Sequence, residues 1–137
     1  MKFKFLEHTA DIKFQAFGKN LEEVFENSAL AVSNSMWDKK VKLSKQLKFK
    51  VSGKDIEALM YNFLEEFLYY FETQGFILGK VSKIKIKKNK SYALEVELKG
   101  DESKNYNIYT HIKAVTYNEM FIKKKAGKFI AQVVLDV

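Results

Sequence analysis

Two short polar segments lie next to stretches whose alternating apolar residues predict buried strands. The first, Glu7–Ile12, reads Glu-His-Thr-Ala-Asp-Ile and separates two apolar strand candidates. In the second, at the end of the chain, the apolar run Gln132–Leu135 continues into Asp136 and Val137. Chain ends are usually polar and frayed. An apolar run that reaches the last residue therefore predicts that the main-chain carboxylate of Val137 lies near the sheet.

A metal site would follow if the first and last strands are neighbours, because Asp11 could then join the end of the chain. Asp11, Asp136 and the Val137 carboxylate would then bring three negative charges together, which is costly without a compensating cation. The donors are all hard oxygens, which suit Ca²⁺, Mg²⁺ or Mn²⁺ better than Zn²⁺. A turn aspartate and a solvated chain end explain the same residues without a metal. From the residues alone, both interpretations stay open.

Other chemistry has few candidate residues. The sequence has no cysteine and two histidines, His8 and His111, which excludes thiolate sites and argues against a multi-histidine zinc site. Glu65 and Glu66 are neighbours on a predicted helix, so their side chains point about 100° apart and do not form an acid–base pair. We predict no catalytic residues. With no signal-like segment and no long uncharged apolar stretch, we expect a cytoplasmic protein that does not enter a membrane.

The charge balance is basic, with a net charge of +7 and 24 lysines but no arginine. A basic balance favours binding to nucleic acid. Specific readers of nucleic acid, however, use the arginine fork on guanine and phosphate. An all-lysine complement is also typical of solvated positions. We therefore expect contact with RNA to be weak or indirect.

The elements that must position these residues form an α+β pattern. Alternation predicts strands over residues 2–6 and 11–17, and Asn20 followed by Glu23 predicts the N-cap of a helix over 21–36. After a strand that ends near Val51, apolar residues at helical spacing predict a second helix from residue 56 to 71. Ser52 or Asp55 can cap its start and Gly75 its end.

The last third of the chain predicts only strands, with turns near residues 88–90 and 126–127. The predicted strands are 83–87, 92–98, 112–124 and 129–137, the third interrupted near residue 118. The order is therefore ββαβαββββ, an α+β fold with two helices packed on a largely antiparallel β-sheet. No linker composition interrupts it, so we expect a single domain over residues 1–137.

Four stretches, in matching order along the whole chain, resemble the archease family. The first and last are specific in combination. They are Leu6–Ile12, Phe63–Tyr69, Ile112–Tyr117 and Val133–Val137.

The resemblance implies a metal site and a partner. Asp11, Asp136 and the carboxylate of Val137 correspond to the family's metal ligands, and Ca²⁺ is the ion expected to be seen bound. His8 and Thr9 belong to the first motif. Members of the family activate an RtcB-type tRNA-splicing RNA ligase by promoting guanylylation of its active-site histidine, and have no known catalytic activity of their own. Asn118 departs from the family, which usually has histidine there, and asparagine cannot titrate near neutral pH.

Two interpretations of His8 stay open: local packing at a strand end, or support of the Asp11 region from outside the donor set. Three functions are also compared. The leading one is the ligase activator. A lysine-rich RNA-binding module is the alternative, and aromatic residues exposed on a sheet face beside lysines would favour it. The candidates are Tyr92, Tyr106, Tyr109 and Tyr117. A metal-dependent hydrolase using Asp11 and Asp136 is the weakest, because only His8 could serve as its base.

Overall fold

The computed structural model describes residues 1–8 and 10–137, and its elements follow the predicted order ββαβαββββ. Their bounds are β1 (Phe3–Leu6), β2 (Ile12–Gly18), α1 (Leu21–Met36), β3 (Lys45–Gly53), α2 (Ile56–Gln74), β4 (Phe76–Lys88), β5 (Tyr92–Glu102), β6 (Ala114–Lys125) and β7 (Lys128–Asp136). A single 3₁₀ turn, Ser103–Asn105, follows β5. The α+β class with two helices and antiparallel strands is confirmed.

The strands of the described chain form two antiparallel sheets rather than one. The first has the order β1-β2-β7-β6, and the second has the order β3-β5-β4. The division follows from local pairing, because β4 and β5 form one hairpin and β6 and β7 form another. Strand β4 also begins at Phe76, earlier than predicted. Its two register shifts, at Leu78/Lys80 and Val81/Lys83, break the alternation that reveals a strand in the sequence.

Both helices begin in the same way, at a glycine followed by lysine and a capping residue. Asn20 accepts a hydrogen bond from the Glu23 amide at 2.9 Å, and Asp55 accepts one from the Ala58 amide at 2.8 Å. These side chains satisfy amides that the first turn leaves without helical partners. Gly75 ends α2 in the left-handed conformation, at φ 61°. Within the described residues, neither helix is both long and apolar enough to cross a bilayer.

The core lies where the inner faces of the two sheets meet the helices. Helix α1 contacts β2 and β4, whereas α2 contacts β3 and β6, so each helix touches both sheets. Phe63 of α2 is fully buried, with ring centroids 5.9 Å from Phe25 and 6.0 Å from Phe49. Such aromatic packing fixes the sheets relative to the helices.

Candidate functional site

The sequence predicted that the last strand lies beside the first, but β7 pairs with β2, the strand that follows Asp11, and β1 lies on the other side of β2. Strand β2 pairs antiparallel with β7 through Ile12↔Leu135 and Lys13↔Val134. Asp11 directly precedes Ile12, and Asp136 directly follows Leu135. The backbones of the two aspartates therefore lie at the same end of the four-stranded sheet.

The end of β7 is held on its other side by β6. Ala114 pairs with Asp136, and the Lys113 amide donates to the Asp136 carbonyl at 2.8 Å. The Asp136 side chain is exposed, whereas the Val137 side chain is half-buried and packs against the core. This anchoring keeps the main chain at Val137 close to the sheet. The main-chain carboxylate is thus brought to the same end of the sheet as the two aspartates.

The donors at this end suit a hard divalent cation. Within the described chain, no three His, Asp or Glu side chains lie close enough together to hold a metal ion. The predicted metal ligands are two side chains, Asp11 and Asp136, and a third donor that is the main-chain carboxylate of Val137. Carboxylate oxygens are the ligands that Ca²⁺ and Mg²⁺ prefer. A buried polar atom points to the same place, since Nδ1 of His8 has no hydrogen-bond partner among the described residues. It lies 3.8 Å from Oδ2 of Asp11.

The other ring nitrogen of His8 is held by β6. Nε2 lies 3.0 Å from Oε2 of Glu119, and Oε1 of Glu119 accepts from the Lys13 ammonium at 3.1 Å. Because a carboxylate only accepts, Nε2 is the donor. The bonds from His8 and then Lys13 lower the pKa of Glu119. His8 thus bridges Asp11 and Glu119, so local bonding and contact with the Asp11 region occur together.

Glu119 was not among the predicted site residues. It lies in the irregular part of β6 between Thr116 and Phe121 and has a φ of 55°, which is uncommon for a residue other than glycine. The Gln132 side chain donates to its carbonyl at 2.8 Å and holds this backbone in place. The feature of the sequence that could have indicated this irregular backbone is the polar pair Asn118-Glu119 between two strand segments. Asn118 itself is exposed.

A second residue missed by the sequence analysis joins α2 to the site end of β6. Oε2 of Glu65 accepts from the Val115 amide at 3.1 Å. Val115 pairs with Leu135, the neighbour of Asp136. Glu65 therefore supports the strand that flanks the site. The predicted residue Thr9 lies outside the described residues.

The late tyrosines bear on the RNA-binding alternative. Tyr109 and Tyr117 are 52% and 54% exposed, whereas Tyr92 and Tyr106 are half-buried. Both exposed rings already stack within the protein. Tyr109 lies 5.5 Å from the Trp37 ring, and Tyr117 lies 4.4 Å from the Tyr61 ring. Bases need free aromatic faces for stacking, so this arrangement gives little support to a base-reading surface.

The sequence matches a family model over nearly its whole length. Residues 3–137 match the model described as the Archease protein family (MTH1598/TM1083). The chain is 39% identical to the Protein archease of Methanosarcina mazei over 140 residues, which cover 99% of this chain and 96% of that one. It is 37% identical to the Protein archease of Sulfurisphaera tokodaii over 139 residues, with 99% of each chain covered.

Solved structures match the fold as well. The solution structure of Methanobacterium thermoautotrophicum protein 1598 superposes with a TM-score of 0.85 and 32% identity, over 99% of each chain. A Thermotoga maritima crystal structure, described as an archease and possible chaperone, has a TM-score of 0.68 over 98% of this chain and 96% of that one. At 20% identity the second likeness concerns the fold alone.

Proposed function

Because the chain belongs to the archease family, we propose that it is an accessory activator of an RtcB-type tRNA-splicing RNA ligase. In this role it promotes guanylylation of the active-site histidine of the ligase and so allows repeated turnover, without ligating RNA itself. The observation that carries the proposal is the pairing of Ile12 with Leu135, the neighbours of Asp11 and Asp136, at one end of the sheet. We place the activity in the cytoplasm.

Asp11, Asp136 and the Val137 carboxylate would hold the divalent cation, with Ca²⁺, Mg²⁺ and Mn²⁺ as the candidates. When bound, such a cation neutralises phosphate charge, which is what nucleotidyl transfer requires. The protein's own residues keep the donors together. Strand pairing fixes the backbone of Asp136 and of Ile12, the neighbour of Asp11, and the packed Val137 side chain would fix the third donor.

Residues around the donors restrict their movement. His8 lies within 3.8 Å of Asp11, and its opposite nitrogen is bonded to Glu119, which is also bonded to Lys13. Partners of this kind orient the groups that bind a metal. The result is an acidic end on an otherwise basic protein. This end has the charge needed to carry a cation toward a partner's nucleotide site.

A guanylylation time course with the ligase from the same cell tests the proposal. The protein should increase the rate of guanylylation and permit multiple turnovers at substoichiometric amounts. Asp11→Asn and Asp136→Asn should each reduce the rate to that of the ligase alone. Both aspartates are at accessible positions, so circular dichroism and thermal melting should change little.

Asp38→Asn provides the matched control, with the same change in charge. Asp38 is exposed and follows α1. It lines a groove with Lys2, which precedes β1, whereas the candidate site lies near the other end of β1. This variant should stimulate the ligase fully. If the site variants melt normally and still stimulate, the carboxylate site is not the functional element. If the unmodified protein stimulates no ligase from its cell, the proposed activity is wrong.

A further inference from the structure

The outer face of the three-stranded sheet is covered with lysine. Side chains on this face alternate along each strand with side chains that enter the core. The buried ones include Leu47, Phe49, Leu94 and Val96. Glu95 and Glu97 are the acidic residues of this face, which we call the lysine face. Its seven lysines are Lys48, Lys50, Lys80, Lys83, Lys85, Lys87 and Lys99.

The register arranges these charges in rows across the sheet. Glu97 lies between Lys48 and Lys83, and Glu95 lies between Lys50 and Lys85. The glutamates turn toward β3. Oε1 of Glu95 is 3.2 Å from the Lys50 ammonium, and Oε2 of Glu97 is 3.9 Å from that of Lys48.

The lysines of β4 are left with excess charge. Lys83, Lys85 and Lys87 follow one another at every second position on the exposed edge of the sheet. Among the described residues, none of the three has a carboxylate within ion-pairing distance. Three ammonium groups without a close carboxylate partner therefore lie in a line on this edge, with Glu97 and Glu95 registered across from Lys83 and Lys85. Successive side chains on one face of a strand are about 6.6 Å apart.

We propose that the lysine face binds the phosphate backbone of RNA without reading its sequence. Lysine is a compact charge with no fixed fork, which suits phosphate neutralisation rather than base recognition. A line of such charges matches a partner whose negative charges are also in a line. The activator role does not require this contact, because the lysine face belongs to the other sheet from Asp11 and Asp136.

The composition of the face favours a nucleic-acid backbone over an acidic protein or a membrane surface. The centres of protein interfaces are depleted in lysine, and their binding energy comes mostly from tryptophan, tyrosine and arginine. None of these residues contributes to the lysine face. Peripheral membrane binding also uses apolar side chains that enter the lipid, and the apolar residues of these strands face the core. Without aromatic rings on the face, duplex and single-stranded RNA should both bind.

Fluorescence anisotropy with a short labelled RNA duplex tests the proposal. The full protein should bind at low salt, with log K falling linearly against log salt concentration. Lys83→Gln, Lys85→Gln and Lys87→Gln together should weaken binding at least about tenfold at about 50 mM salt and reduce the slope by about 2 to 3. Glutamine removes the charge, keeps a polar straight side chain and avoids new repulsion with Glu95.

A second triple variant supplies the control. Lys123→Gln, Lys124→Gln and Lys125→Gln remove the same charge from the β6–β7 hairpin, and binding should fall less than twofold. An equal loss in both triple variants would overturn the proposal, because net charge rather than the lysine face would then explain binding. Absence of binding to RNA, or tighter binding to anionic phospholipid vesicles or to an acidic peptide, would overturn it as well. Both triple variants should stimulate guanylylation of the ligase as the unmodified protein does, because that assay contains no RNA.

Discussion

Replacing Asp11 with asparagine removes one negative charge from the candidate metal site and keeps the size of the side chain. The strand that follows it is held by pairing with β7, so the backbone at this point should not move. The contact between Asp11 and His8, at 3.8 Å, is partly exposed, and such pairs contribute little to stability. The variant therefore isolates the electrostatic part of cation binding.

The size of the effect follows from the exposure of the site. The Asp11 side chain is 31% exposed and Asp136 is exposed, so the value for bulk water sets a lower bound. In water, two unit charges at 4 Å interact by about 1 kcal/mol, so a divalent cation and a carboxylate interact by about 2 kcal/mol. Since 1.4 kcal/mol corresponds to a factor of ten, Asp11→Asn should weaken Ca²⁺ binding by about 30-fold or more.

Titration calorimetry with Ca²⁺ and with Mg²⁺ measures this loss directly. Asp136→Asn should weaken binding similarly, and the double variant should lose less than the two single losses combined, because neighbouring sites are coupled. Asp38→Asn should bind as the unmodified protein does. Equal affinity of the Asp11→Asn variant and the unmodified protein, with both chains folded, would refute the assignment of Asp11 as a donor.

Three further outcomes are expected. Adding one residue after Val137 converts its carboxylate to an amide and should weaken Ca²⁺ binding in calorimetry with little change in melting temperature. Gly53→Ala should lower the melting temperature by about 4 to 10 °C, because its Cβ would lie 2.5 Å from the Leu59 nitrogen and such overpacking costs about 1–3 kcal/mol. Hydrogen bonds from Ser44, Tyr106 and the Glu102 amide lower the pKa of Asp101 from 3.8 to about 2. This stabilisation is complete above pH 3.8 and is lost as pH falls toward 2. Thermal melts across that range should therefore depend less on pH in Asp101→Asn.

Local features of the fold could be predicted from the sequence because their causes are local. Asn20, Asp55 and Gly75 act within a turn of the helix they begin or end, so residue type and spacing are sufficient. The burial of the last strand could also be anticipated, because a strand that stays apolar to its last residues must be covered on a face. Its neighbour could not, since the first strand was predicted and β2 is the one that pairs with it.

The features that escaped prediction depend on distant contacts or on unusual backbone. The two hairpins are local, but the strands that join them are not. Strand β3 pairs with β5 across α2, and β2 pairs with β7 from the other end of the chain, so no single segment indicates which sheet each strand enters. Glu119 owes its place to a positive φ that glycine would have signalled and glutamate does not. Its partners His8 and Lys13 are more than a hundred positions away in the chain. The pairing of Glu65 with the Val115 amide likewise requires the packed helix.

The two sheets differ in the sequence separation between the strands that they pair, and this difference affects the order of folding. The three-stranded sheet draws on β3, β4 and β5, which are consecutive strands, whereas the four-stranded sheet joins β2 to β7. Bringing Asp11 to Asp136 closes a loop of about 125 residues, with a chain-entropy term of about 4 kcal/mol. Short-range pairing forms faster than long-range pairing. The middle of the chain should therefore acquire protection from hydrogen exchange early, with β2 and β7 joining last. Binding of a cation at the proposed site would then indicate that folding is complete, because a partly folded chain would not bring the two aspartates together.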